Sequence, residues 1–137
     1  MSNHPSATAV IRCPDDRYSP GNLLARGLDK ILKNESVQSY YSLTAFGGSL
    51  ELVLDDNQLT WKWKMAICQR LQIDHLIIID HMDCGAYYYA YPGMTKEKEK
   101  AKHLENLQYS QRILSKYIPQ AKIKLYLHNN NKVVFSS

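Results

Sequence analysis

One segment limits what this chain can fold into more than any other: His75-Leu76-Ile77-Ile78-Ile79-Asp80. Its interior is apolar on both faces of a strand, and its β-branched isoleucines favour extended backbone. A strand of that kind has to be covered from both sides, so it predicts the centre of a parallel sheet with helices above and below. Ala7-Thr8-Ala9-Val10-Ile11 reads as a second buried strand, closing at Arg12-Cys13-Pro14. Ser19-Pro20 then offers a cap followed by proline at the first helical position, and Leu23, Leu24, Leu28, Ile31 and Leu32 line one face of the helix. Val37 to Thr44 reads as a further strand that breaks at Gly47-Gly48. Asp55 and Asp56 cap a helix whose expected inner face is Leu59, Trp63, Ile67 and Leu71, at spacings of four. Thr95 opens a long helix with Ala101, Leu104, Leu107, Leu114 and Ile118 inward, stopped by Pro119. Ile123 to Leu127 and Lys132 to Phe135 flank Asn129-Asn130-Asn131 and predict a C-terminal hairpin. The alternation gives an α/β fold: a mostly parallel, doubly wound sheet flanked by helices, with that hairpin at its end. With no repeat and no linker, residues 1–137 are expected to form a single domain.

With 137 residues, 45% of them hydrophobic, the chain can bury a core without disulfide staples. That excludes a disordered tail, a collagen-like rod and a disulfide-rich mini-protein. No apolar run approaches the ~20 residues that span a bilayer. Met1 to Ala9 is polar with no hydrophobic signal core, so a cytoplasmic protein without a membrane partner is expected. The net charge of +4 is mild. Lys96, Lys98, Lys100 and Lys102 alternate with Glu97 and Glu99 as on a solvated helix face, not as in a nucleic-acid footprint. Trp61 and Trp63 with Lys62 and Lys64 resemble a stacking patch, but Trp63 fits the apolar helix face, so no nucleic-acid partner is expected. Three cysteines, an odd number, point to reduced thiols available for metal or catalysis.

Two of those cysteines sit where chemistry is done. Cys13 lies at the carboxyl end of the first strand, and His81 and Cys84 just past that of the central strand, in His81-Met82-Asp83-Cys84-Gly85. Ligands of open α/β sheets bind outside the carboxyl ends of strands at the topological switch point. If the two strands are neighbours, one histidine and two cysteines converge from segments 68 residues apart. That set suits zinc and leaves a fourth position for water. Asp15 is placed to accept a hydrogen bond from metal-bound hydroxide, with Arg17 holding its carboxylate ionised. A metal-free Cys13/His81 nucleophile dyad is the other chemistry this set allows. The phosphatase-loop version is excluded, because Ser19 stands where its arginine is needed, six residues after Cys13. Elsewhere Cys68 reads as core, and Asp80 and Asp83 as solvated loop carboxylates in preference to groups that support the metal ligands, while His4, His75, His103 and His128 read as surface or satisfied core. The Tyr87-Tyr88-Tyr89-Ala90-Tyr91 cluster lines either a pocket or an interface.

Cys13-x-Asp15-x-Arg17 followed by His81-x-x-Cys84-Gly85 resembles the paired signature of the β-class carbonic anhydrases. Ala45-Phe46-Gly47-Gly48 looks like that family's Ala-Gly turn, and the likeness runs from about Thr8 to Leu127. The resemblance implies a zinc enzyme that hydrates carbon dioxide reversibly to bicarbonate by metal-bound hydroxide. It puts the metal on Cys13, His81 and Cys84 and makes Asp15 and Arg17 the orienting dyad. In part of that family the aspartate swings onto the zinc and releases the arginine, which makes Asp15 a candidate fourth ligand. It also implies a homodimer or higher homo-oligomer. The chain departs from the pattern in four places, one of them the Tyr87–Tyr91 cluster after Gly85. Asp80 stands where the family has glycine before its zinc histidine, and Leu43-Thr44-Ala45-Phe46 replaces Arg-Asn-Ala-Gly. Only 12 residues precede Cys13, so the helical arm that embraces a partner subunit is expected to be missing or minimal. Two alternatives keep the site: action on carbonyl sulfide or carbon disulfide, or a non-catalytic zinc-binding relative in which Asp15 holds the fourth position.

Overall fold

In the computed structural model, which describes residues 7–55 and 59–137, the apolar run is strand β3 (His75–His81) at the middle of a five-stranded sheet. The other strands are β1 (Thr8–Arg12), β2 (Tyr41–Thr44), β4 (Lys122–Asn129) and β5 (Lys132–Ser136), in the order β2-β1-β3-β4-β5. All pairings are parallel except β4 with β5. This is the mostly parallel sheet with a C-terminal hairpin that the sequence predicts. From β1 the chain moves outward to β2 and then returns to β3 on the other side of β1, so the direction of winding reverses between β1 and β3.

The two-residue period of the strands divides the core. Val10, Ile77, Ile79 and Tyr126 face Leu24, Leu28 and Ile31 of α1 (Leu23–Asn34). Ala9, Ile11, Leu76, Ile78, Leu125 and Leu127 face α3 (Leu59–Arg70) and α5 (Lys96–Tyr117) on the opposite side. Two short helices, α2 (Leu50–Leu54) and α4 (Gly85–Ala90), follow the loops after β2 and β3. Leu76 to Ile79 are fully buried, each side chain contributing about 1.5–3 kcal/mol of hydrophobic stabilisation.

Several sequence expectations are corrected. The α1 cap is Asn22, not Ser19. Ser19 instead closes a 3-10 turn at Asp16–Tyr18, and Gly21 with φ +89° turns the chain before the helix can start. The strand expected from Val37 is only Tyr41–Thr44, because the Val37 N–H donates to the Leu32 carbonyl and serves to end α1. Helix α3 presents the stripe Trp61, Met65 and Cys68 to the core, while Leu59, Trp63 and Ile67 are 71%, 68% and 38% exposed. Both stripes have helical spacing, and the sheet packs against the one with the buried tryptophan. Trp63→Ala is therefore expected to change stability by less than about 0.5 kcal/mol in a denaturant melt, as at an ordinary surface site. In α5, Leu107, Leu114 and Ile118 point inward as expected, with Thr95 as the cap, but Ala101 is exposed. The remaining inward positions are Glu99, His103, Asn106 and Ser110, a polar stripe. Asp56, an expected helix cap, lies outside the described residues, as does His4. Among the described residues no helix is long and apolar enough to cross a membrane.

Candidate metal centre

Cys13 and His81 are held at the switch point because β1 and β3 are direct neighbours and both segments emerge at the same end of the sheet. Cys84 follows after a tight loop in which Asp83 takes a left-handed conformation, φ +59°. The atoms that Cys13, His81 and Cys84 could offer to a metal lie within 4.8 Å of one another, and all three residues are buried. The His81 Nδ1–H donates to the Met82 carbonyl at 2.8 Å, which fixes the tautomer and leaves Nε2 as a lone-pair donor. That Nε2 is buried and has no hydrogen-bond partner among the described residues. An orphaned imidazole nitrogen facing two thiols is a donor set that fits zinc.

The thiols are electrostatically prepared for that role. Cys13 is lowered to about 5, first by the hydrogen bond from Cys84, against the cost of burial and with help from His81 and the Gly47 N–H. The Gly47 N–H reaches Cys13 Sγ at 3.3 Å. Cys84 is raised by that same hydrogen bond and by burial, so the pair shares one proton. A metal ion displaces that proton when it binds thiolates.

Asp15 and Arg17 sit on the 3-10 turn that leaves Cys13. Arg17 Nε donates to Asp15 Oδ1 at 3.0 Å and Nη2 to Oδ2 at 2.8 Å, while the Arg17 N–H also reaches Oδ1 at 2.9 Å. The guanidinium hydrogen bonds hold the Asp15 carboxyl well below the usual carboxylate range. Asp15 Oδ2 lies 3.7 Å from His81 Nε2, beside the ligand atoms. Arg17 Nη2 also donates to the Asp83 carbonyl at 2.8 Å, so one side chain ties the Cys13 loop to the His81–Cys84 loop.

The strand period places His81 on the α1 face of the sheet and Asp80 on the α5 face. His81 packs edge-on to Tyr18, at a 5.8 Å centroid distance, and to His128, at 6.4 Å. Asp80, expected as a solvated loop carboxylate, is completely buried. Its Oδ1 accepts from the Ser49 N–H at 2.8 Å, and its Oδ2 from Ser49 Oγ, Tyr87 Oη and His103 Nδ1 at 2.7, 2.9 and 2.7 Å. His103 Nε2 continues to Glu99 Oε2 at 3.0 Å. Burial opposes charge on His103, but the hydrogen bonds to Asp80 and Glu99 outweigh it and raise its pKa. Asp83, in contrast, is exposed as expected. His103 and His128 are satisfied core residues and His75 is bound to Glu35 at 2.9 Å, while Cys68 packs in the core. The tyrosine cluster divides: Tyr87 is core and Tyr89 is exposed. Sequence reasoning missed the Asp80–His103–Glu99 network, although the Glu99-x-x-x-His103 spacing was available to it.

No protein-family model matches the chain, and no curated protein matches it. Among solved structures it is similar to the β-carbonic anhydrase CafD, in mutant form, of the filamentous fungus Aspergillus fumigatus. The two share 14% sequence identity and a TM-score of 0.50, over 96% of this chain and 89% of that one. The sheet order, the flanking helices and the C-terminal strand pair are those of a β-carbonic anhydrase fold.

Proposed function

We propose that this chain is a zinc enzyme that catalyses the reversible hydration of carbon dioxide to bicarbonate. One observation carries the reading: two thiols and an unpartnered imidazole nitrogen converge beside a carboxylate that an arginine holds ionised. Cys13, His81 and Cys84 hold the metal. Bound there, zinc supplies a Lewis acid and brings the pKa of water to about 7. The chain's own residues do the rest. Asp15 can only accept hydrogen bonds, so it accepts one from a reacting O–H while staying ionised, and thereby turns an oxygen lone pair away from itself, toward substrate. Arg17 keeps Asp15 ionised and aimed. The fold likeness supports this reading without assigning the substrate, and carbonyl sulfide and carbon disulfide remain alternatives for the same site. Asp15 as a permanent fourth ligand is the non-catalytic alternative.

The reading includes self-association as a homodimer or higher homo-oligomer. Beside the centre, Phe46, Leu50, Leu54, Ala86 and Tyr89 line an open apolar cavity of about 460 Å³, and Phe46, Leu54 and Tyr89 are exposed. Surface of that kind is ordinarily covered by a partner.

The test is metal content measured together with stopped-flow carbon dioxide hydration from about pH 6.5 to 9. The expected result is one zinc per chain, hydration that rises with pH, and a light-scattering mass of at least two chains. Zinc without hydration at any pH selects the other substrates or the closed site. No metal overturns the reading and returns Cys13 to the nucleophile chemistry.

A further inference from the structure

A cluster of buried ionisable side chains lies directly behind the metal centre. Asp80, Glu99 and His103 are each completely buried. Burying ionisable groups is costly unless each is paired and hydrogen-bonded, and here every member is. Such an arrangement earns an explanation beyond packing, and its connections supply one.

The network reaches all three ligand segments. Asp80 is covalently joined to His81 and holds the end of β3 by four hydrogen bonds. One of these comes from the Ser49 backbone, two residues beyond Gly47, whose N–H donates to Cys13 Sγ. Gly48 makes room for this contact: a Cβ there would lie 2.5 Å from Asp80 Oδ1 and 2.5 Å from the Ile79 carbonyl. On the far side of His103, Glu99 Oε2 accepts from the Cys84 N–H at 3.4 Å and Oε1 from Tyr88 Oη at 2.9 Å. Tyr87, packed on the His103 ring at a 3.7 Å centroid distance, completes the contact with α4. The β2–α2 loop, the end of β3 and the start of α4 are therefore joined through one imidazole on α5.

We infer that His103, bridging Asp80 and Glu99, is a positioning residue for the metal centre, setting the relative placement of the Cys13, His81 and Cys84 donors without touching the metal. This rests on the metal reading of the same three ligands. Asp80 and His103 are in this sense one device: the carboxylate fixes the histidine ligand's strand, and the imidazole links it to the loop that carries Cys84. Groups that orient metal ligands typically contribute about 10- to 100-fold to metal affinity.

The experiment titrates the full chain with cobalt(II), reading the dissociation constant together with the visible ligand-field and sulfur-to-cobalt bands. His103→Gln and Ser49→Ala are compared with Leu114→Ala, a core truncation on the same helix, about three turns further along. Expected is a loss of about 10- to 100-fold in cobalt affinity for His103→Gln with shifted bands. Ser49→Ala should show a smaller loss of the same kind. Leu114→Ala should lower the melting temperature while leaving affinity and bands at their wild-type values. If His103→Gln does not fold, Ser49→Ala decides in the same sense. Wild-type affinity and bands in the network variants, with only thermal stability reduced, overturn the positioning role and leave the metal reading standing. A wild-type chain that binds no cobalt and no zinc overturns both.

Discussion

Asp15→Asn is expected to bind zinc like the wild type and to lose about 100-fold or more in carbon dioxide hydration, the scale of one positioned proton-handling group. The geometry fixes the reason. Asp15 Oδ1 already accepts two hydrogen bonds from Arg17, its backbone N–H and Nε. An asparagine must keep its carbonyl oxygen there, because an amide nitrogen cannot accept. Its NH₂ then occupies the Oδ2 position, meets the Arg17 Nη2 donor head-on and presents N–H groups toward His81 Nε2. The acceptor beside the ligands becomes a donor while size and shape barely change. Zinc content should hold, since none of the three proposed ligands is altered. The pH profile sharpens the test. Asp15 is held below the usual carboxylate range, so the stability it adds is present above that range and lost only as pH falls through its depressed value. The expected rise of activity with pH between about 6.5 and 9 therefore belongs to another group, and Asp15→Asn should lower the plateau without moving the midpoint. An asparagine variant with the wild-type rate would remove Asp15 from the chemistry. A variant that gains rate would instead identify Asp15 as the ligand that closes the site.

The parts of this molecule that were legible in sequence are those whose signal is local. β3 is apolar on both faces over consecutive residues, and only the middle of a covered sheet satisfies that. The convergence of Cys13, His81 and Cys84 was legible because strand ends and the His81-x-x-Cys84 spacing combine with the switch-point rule. Helix α3 was misread because it carries two apolar stripes, and periodicity cannot say which of them the sheet will cover. Asp80 was misread for a different reason. It continues the two-residue alternation of Leu76 and Ile78 and so points into the α5 face, but a carboxylate at a strand end ordinarily reads as loop. Its hydrogen-bond partner His103 lies 23 residues away on a helix whose first turns are crowded with lysines. Nothing in local pattern announces that pairing. The Tyr18–His128 contact spans 110 residues and is equally silent in sequence.

That contact carries the second large effect, a loss of stability in mild acid. His128 is completely buried, with Tyr18 Oη at 2.6 Å from Nε2 and the Asn130 carbonyl at 2.8 Å from Nδ1. The carbonyl only accepts, so Nδ1 carries the proton and Nε2 accepts from the tyrosine. Gly27 of α1 lets this happen: a Cβ there would sit 2.2 Å from His128 Nδ1. Burial, reinforced by neighbouring His81, lowers His128 to about 4, against the hydrogen bond to Asn130. The unfolded chain keeps its ordinary histidine value near 6.5, so between those two values it binds a proton that the folded chain refuses. Stability from His128 is therefore complete above about pH 6.5 and lost as pH falls toward 4, amounting to about 3 kcal/mol. His103, raised above its ordinary value, works with the opposite sign: its contribution is full in acid and declines as pH rises through its folded value. The net slope of the wild type mixes the two, and a substitution separates them. In denaturant melts at about pH 7 and 4.5, His128→Gln should keep a hydrogen bond to Tyr18 and lose less stability on acidification than the wild type, by about 2–3 kcal/mol. Equal acid slopes in the two chains would mean that His128 takes up its proton in the folded state, and that the Tyr18 hydroxyl turns to accept it.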